Sequence, residues 1–192
     1  ANSVRVIVIR DDAIDSVVEQ VDENSFLKPN TYLDYSDLLI QKLAKKGKGG
    51  ATNSREIAKE LTSFVNQYID SKNFSVGFAT ASEVARTREG DCTEHSILLA
   101  ALGRALGIPS RVASGVVFTA HFEGKKNVLV YHMWTQFYLG QKWTNYDAAM
   151  GYDECPADRI AFSVTSLDES NLVRSMLPVM ELMNNLQVTL LE

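Results

Sequence analysis

Cysteine is scarce in this chain. Two occur among 192 residues, Cys92 and Cys155, which allows one bridge but no disulfide framework. No apolar run approaches the ~20 residues needed to cross a bilayer, so no membrane segment is expected within it. Positive charge is not in excess: 19 Lys and Arg face 24 Asp and Glu, a net charge of -5, which speaks against a nucleic-acid partner. Internal repeats and low-complexity tracts are absent. Histidine is limited to three, so each can be weighed singly as a base. What is present is ordinary for a globular protein, 45% hydrophobic and 22% charged, at a length that suits one domain with a sizeable core. Ala1-Asn2-Ser3 leads straight into a strand-like run with no leader-like stretch, and this names no compartment.

The β-branched run from Val4 to Ile9 predicts a strand. Residues 36–45 predict a short helix with Leu38, Leu39 and Leu43 on one side, and the basic, glycine-rich residues 45–50 a flexible connector. Asn53 and Glu56 have capping-box spacing, followed by an apolar stripe of Ile57, Leu61, Phe64, Val65 and Tyr68. A loop is expected over 73–80, a short helix over 81–88, and a helix from Cys92 that stops at Gly107 before Pro109. The period then changes. Strands are expected over 111–118, 128–139 and 142–148, with a polar turn at 121–127 and a tight hairpin at Gly140-Gln141. The tail from 158 reads as mixed, with a last strand over 186–191. Helices first and an antiparallel meander second indicate an α+β fold.

Cys92 stands in Gly90-Asp91-Cys92-Thr93-Glu94-His95, directly ahead of Ile97, Leu98, Ala101, Leu102 and Ala105. The thiol therefore falls at a helix start, where unpaired N–H groups and the helix dipole favour thiolate. Cys155 lies between Glu154 and Pro156, among acids that would raise a thiol pKa, and reads as a passive or buried thiol.

Three histidines compete as base. His121 sits in the expected polar turn. His95 lies one turn after Cys92, where only Asp91 or Glu94 could orient it. His132 lies inside the 128–139 strand. If Gly140-Gln141 is the hairpin loop, Leu139 opposes Lys142 and Trp134 opposes Asp147. His132 shares a face with Trp134, so His132 and Asp147 become diagonal neighbours. Leu129, Tyr131, Met133 and Phe137 form the core side, and the His132 side is free to receive the helix that carries the thiol. On the residues alone three readings stand: a nucleophilic Cys92 with His132 as base and Asp147 as its orienter, a surface His–Asp pair, and a zinc set drawn from Cys92, His95, His132 and Asp147. A Cys-x-x-His fragment without a second compact pair is weak support for zinc. In the first reading the backbone N–H of Cys92 is the first oxyanion donor.

The block from Gly90 to Gly115 resembles the nucleophile block of the transglutaminase-like superfamily. His132-Met133-Trp134, and Trp143-Thr144-Asn145-Tyr146-Asp147, resemble its histidine and aspartate blocks, in family order. The likeness covers roughly residues 51–149 and is similar in particular to bacterial transglutaminase-like cysteine proteases. It implies a papain-like, cysteine-proteinase fold in which the nucleophile helix packs on an antiparallel sheet. It implies a Cys92, His132, Asp147 triad that transfers acyl groups of amides through a thioester, by hydrolysis or transamidation, on a protein or peptide substrate. No metal or cofactor is called for. The sequence departs from the family at Gln136, where an acid is common, and at Asn145 and Tyr146, where apolar residues are common. The family also holds members that bind peptides or proteins without catalysis, which is the alternative function.

Residues 1–50 are expected to form an N-terminal extension packed on a core of 51–192. Trp134 and Trp143 share the His132 face and are candidates to wall a substrate cleft, with packing beneath the helix as the plain alternative. His95 and Glu94 are further candidate substrate contacts, set against a histidine on the helix surface or supporting the site from behind, and an acid paired with the helix dipole. Arg111 is expected in a structural ion pair, and Met176, Met180 and Met183 in core packing. An extracytoplasmic domain of a larger bacterial protein fits the resemblance. Oligomeric state is not legible.

Overall fold

A computed structural model describes residues 21–71 and 78–168, with Leu177 and Glu181. The expected strands at 4–9 and 186–191, and the three methionines of the tail, lie outside these residues. Among residues 21–168 so described, four α-helices precede four strands. They are α1 (Leu38–Gly47), α2 (Ser54–Tyr68), α3 (Ala81–Thr87) and α4 (Cys92–Ala105), then β1 (Ser110–Phe122), β2 (Lys125–Leu139), β3 (Lys142–Tyr146) and β4 (Arg159–Thr165). The antiparallel sheet runs β3-β2-β1-β4, so the fold is α+β.

Local chemistry accounts for most boundaries. Asn53 caps α2 by accepting from the N–H of Glu56. Thr80 with Glu83, and Asp91 with Glu94, form reciprocal capping boxes at α3 and α4. Both hairpin turns place two successive residues at positive φ, Glu123-Gly124 and Gly140-Gln141, the conformation that matches strand twist. The β2–β3 pairing is Leu139 with Lys142 through Thr135 with Tyr146, the register read from the sequence.

Several expectations shift. Residues 45–50 are not wholly a connector: α1 continues to Gly47, which is buried against Phe64 so closely that a Cβ would overlap its ring. Leu38 is exposed, and Ile40, Leu43 and Ala44 carry the buried side of α1. His121 lies in β1 rather than in a turn, because the two strands extend toward a two-residue loop. The strand expected over 142–148 ends at Tyr146. The mixed tail contains β4, whose Ile160-Ala161-Phe162-Ser163-Val164 alternates larger and smaller side chains as a strand does.

The largest correction concerns the helix. α4 packs on the face of β2 opposite to His132: Thr93 Oγ1 donates to Met133 Sδ, Thr135 Oγ1 donates to the Ser96 carbonyl, and Phe137 fills the space over Gly103. Met133, Thr135 and Phe137 meet α4 on that face, whereas buried Trp134 and Gln136 lie on the His132 face and join its polar contacts with Asn145. Leu61, Val65, Ile97, Leu98, Leu102, Val112 and Phe137 belong to one core, as do Leu33, Ile40 and Leu43 from the segment before residue 50.

Candidate active site

The N-terminus of α4 reaches the sheet at Met133, next to His132 in the strand. The β2–β3 ladder has ended three residues earlier, at Thr135, so the edge of β2 beside His132 is not covered by β3. A thiol borne on one face of the sheet can therefore meet a histidine from the other around that edge. Cys92 is the first residue of α4 and is partly exposed. Its thiol reaches the His132 ring and favours the protonated form.

Asp147 leaves β3 and pairs its backbone with Tyr152, a two-way bridge that folds residues 147–152 into a turn. This turns its carboxylate toward His132, whose Nε2 lies 2.7 Å from Asp147 Oδ2. With Nε2 held there, Nδ1 is the ring nitrogen left for the thiol. Asp147 Oδ2 also accepts from Nη1 of Arg159 at 2.9 Å, and Oδ1 accepts from the N–H of Met150. The carboxylate side chain is 1% exposed. Burial alone would raise its pKa, but His132 and then Arg159 hold it below the ordinary carboxylate range. For His132, burial pulls the pKa down, whereas the hydrogen bond to Asp147 and the nearby Cys92 thiol push it up, to about 9.

The two amides that depart from the family pattern face one another. Gln136 opposes Asn145 across β2 and β3, and Asn145 Oδ1 accepts from both Gln136 Nε2 and Trp134 Nε1. Gln136 Oε1 in turn accepts from Arg111 Nε, and the Arg111 guanidinium lies over the Trp143 ring at 4.0 Å. This chain of polar contacts fixes Trp134, which is 1% exposed and lies nearly parallel to the His132 ring. Trp134 thus shields the His–Asp pair from water and does not present a wall to solvent, nor does it pack beneath α4. Trp143, on β3 opposite Tyr138, is partly buried against Tyr138 and Phe26 on the same face of the sheet.

Glu94 and His95 point inward. The Glu94 carboxyl is fully buried, accepts from the N–H groups of Asp91 and Ala79, and closes the cap of α4. Burial pushes its pKa up. His95 is buried and its Nδ1 lies 2.6 Å from the Asp91 carbonyl, in the helix turn that begins at Cys92. Both are buried, Glu94 through its part in the α4 cap and His95 with its ring against the Asp91 carbonyl. Burial pushes the Cys155 thiol well above an ordinary thiol, against the opposing pull of Arg159. Arg159 was missed by sequence reasoning, since its strand had not been recognised. Among the described residues no three His, Cys, Asp or Glu side chains converge as a metal-ligand set.

A family model, the transglutaminase-like superfamily, matches residues 41–148, more than half of the chain, and that span contains Cys92, His132 and Asp147. The chain belongs to the transglutaminase-like superfamily. No curated protein sequence matches it significantly. Among solved structures it is similar to a candidate cysteine protease from Cytophaga hutchinsonii, with 24% identity and a TM-score of 0.64 over 78% of this chain and 48% of that one. It is also similar to the periplasmic domain of TgpA from Pseudomonas aeruginosa, with 18% identity and a TM-score of 0.51 over 74% of this chain and 50% of that one. The transglutaminase-like chain spans about half the length of these structures, and the likeness supports a papain-like, transglutaminase-like fold. No helix among its described residues is long and apolar enough to cross a membrane.

Proposed function

We propose that this chain is a thiol acyltransferase or hydrolase acting on amides, with Cys92 as nucleophile, His132 as proton carrier and Asp147 as orienter. The observation that carries this reading is His132, held at Nε2 by a buried carboxylate and reached by the Cys92 thiol at a helix start.

In the proposed reaction the Cys92 sulfur attacks the carbonyl carbon of a peptide bond or glutamine side chain, and His132 holds the thiol proton. The carbonyl oxygen takes the developing charge. The backbone N–H of Cys92 precedes the helical hydrogen-bond ladder and supplies one donor to it. The C–N bond then breaks, the amine departs with the proton from His132, and a thioester remains on Cys92. Water or an amine next attacks the thioester, gives a proton to His132, and restores the thiol as the C–S bond breaks. Asp147 keeps the imidazole oriented through both halves. Trp134 keeps water away from the ring on the buried side.

Peptides with and without amine donors, incubated with the wild-type chain and with Cys92→Ala, test the reading by mass spectrometry. A peptide-derived adduct on Cys92, with product formed only by the wild type, is expected. Hydrolysed product identifies water as acceptor and a crosslinked amine identifies transamidation. Iodoacetamide should also label Cys92 faster than Cys155, and His132→Ala should remove that advantage. Equal labelling of the two thiols in the wild type would sink the activated thiol and leave peptide binding without catalysis as the function of the fold.

A further inference from the structure

Arg159 opens β4, and its side chain is 3% exposed. A buried guanidinium is expensive unless its donors are matched. Nη1 donates to Asp147 Oδ2 at 2.9 Å and Nε donates to Asp158 Oδ1 at 2.9 Å. The guanidinium carbon lies 5.2 Å from the centre of Trp134 and 5.9 Å from that of Tyr152. Nη2 is buried without a hydrogen-bond partner among the described residues. The group is thus gripped on three sides while one donor is left unsatisfied. Tethering a strand to the sheet does not require this arrangement. β4 already pairs with β1 from Val117 with Arg159 to Val112 with Thr165.

The effect of the grip falls on Asp147. Its Oδ2 receives two donors, Arg159 Nη1 and His132 Nε2, while Oδ1 receives the Met150 N–H. Three donors from three directions leave the carboxylate no freedom to rotate. We propose that Arg159 is a positioning residue of this site, clamping the Asp147 carboxylate against His132 Nε2 and thereby aiming the opposite side of the ring at Cys92. This rests on the proposed roles of Cys92, His132 and Asp147.

Charge and position have opposite consequences here, which makes the inference decidable. The titratable groups at the His132 ring are Cys92 and Asp147, and those around Arg159 are Asp147, Asp158 and Cys155. If Arg159 acted only as a second cation on the shared oxygen, it would weaken the hold of Asp147 on His132. Its removal would then raise the pH at which the ring loses its proton. If it positions the carboxylate, its removal lets Asp147 turn away and lowers that pH.

The experiment is an NMR titration of the His132 ring in the full chain, with the pH profile of Cys92 alkylation measured in parallel. In Arg159→Met, a shape-compatible apolar replacement, the ring should titrate about 1–3 pH units lower than in the wild type. Neutral-pH alkylation of Cys92 should fall on the order of tenfold. Arg159→Lys keeps the charge without the planar fork and should resemble Arg159→Met rather than the wild type. Asp158→Asn loosens the other end of the grip in an otherwise intact site. It should move the ring in the same direction by less, and it serves if the core variant fails to fold. An unchanged or raised His132 titration in the variants that fold overturns the positioning role. The ring titration reads this whether or not Cys92 turns over any substrate, so its failure is distinct from failure of the proposed function.

Discussion

Asp147 carries the most constrained side chain of the site, with His132 and Arg159 on one oxygen and a backbone N–H on the other. Its consequence for His132 has a definite sign. A histidine whose folded pKa is raised from about 6.5 to about 9 stabilises the fold fully below the lower value and loses that contribution as pH rises toward the upper one. Thermal melts should therefore show stability falling between those pH values, and the fall should vanish in His132→Ala. The alkaline limb of alkylation or turnover should track the same proton. Asp147→Asn should move the limb to lower pH and cost about 10²–10⁴ in rate, measured as kcat/KM across pH. Asn145→Ala strands the Trp134 indole N–H and the Gln136 amide. It should cost about 1–3 kcal/mol in urea unfolding while leaving Cys92, His132 and Asp147 in place. These residues differ in how legible they were. Cys92 announced itself by helix-start position, and His132 with Asp147 by hairpin register. Arg159 did not, since its bond to Asp147 joins two elements whose meeting no local pattern records. Glu94 was ambiguous in the sequence, because a first-turn acid can serve the helix cap as readily as a ligand.

At the scale of elements, α4 does two jobs with one sequence. Its first turn presents a thiol and its remaining length is buried nearly all round. Asp91 starts it by accepting from the Thr93 N–H, and Gly103 lets Phe137 approach its middle. Asp91→Ala should cost about 0.5–2 kcal/mol. Gly103→Ala forces a Cβ into the Phe137 ring and should cost about 1–3 kcal/mol, despite the better helix propensity of alanine. Denaturant melts separate the two, because only Asp91→Ala should also slow alkylation of Cys92. The hairpin at Gly140-Gln141 was readable to the residue, since two positive-φ positions between alternating strands admit few registers. The side of β2 that receives α4 was not. Both faces carry large apolar groups, and the helix is apolar on most sides, so periodicity alone had no means of choosing between them.

At the scale of the molecule, the α+β order was legible from the change of period near residue 110, but the path of β4 back to β1 was not. The segment before α1 is held by distant groups. Buried Arg104 donates to the carbonyls of Lys28 and Ser110, and Asn30 donates to the carbonyl of Ser166. Burial lowers the Arg104 pKa to about 10, still far above neutral, so the group remains a cation. Arg104→Met leaves those carbonyls short of a donor and should lower stability by about 1.5–3 kcal/mol, read by thermal or urea melts at pH 7. The return of β4 to β1 has a consequence for the order in which the site comes into being. A ribosome delivers the thiol first, its imidazole later, the carboxylate after that and the guanidinium last. The sulfur therefore passes through synthesis without its complete set of partners, and chains halted before Asp158 should react with iodoacetamide no faster than an ordinary cysteine.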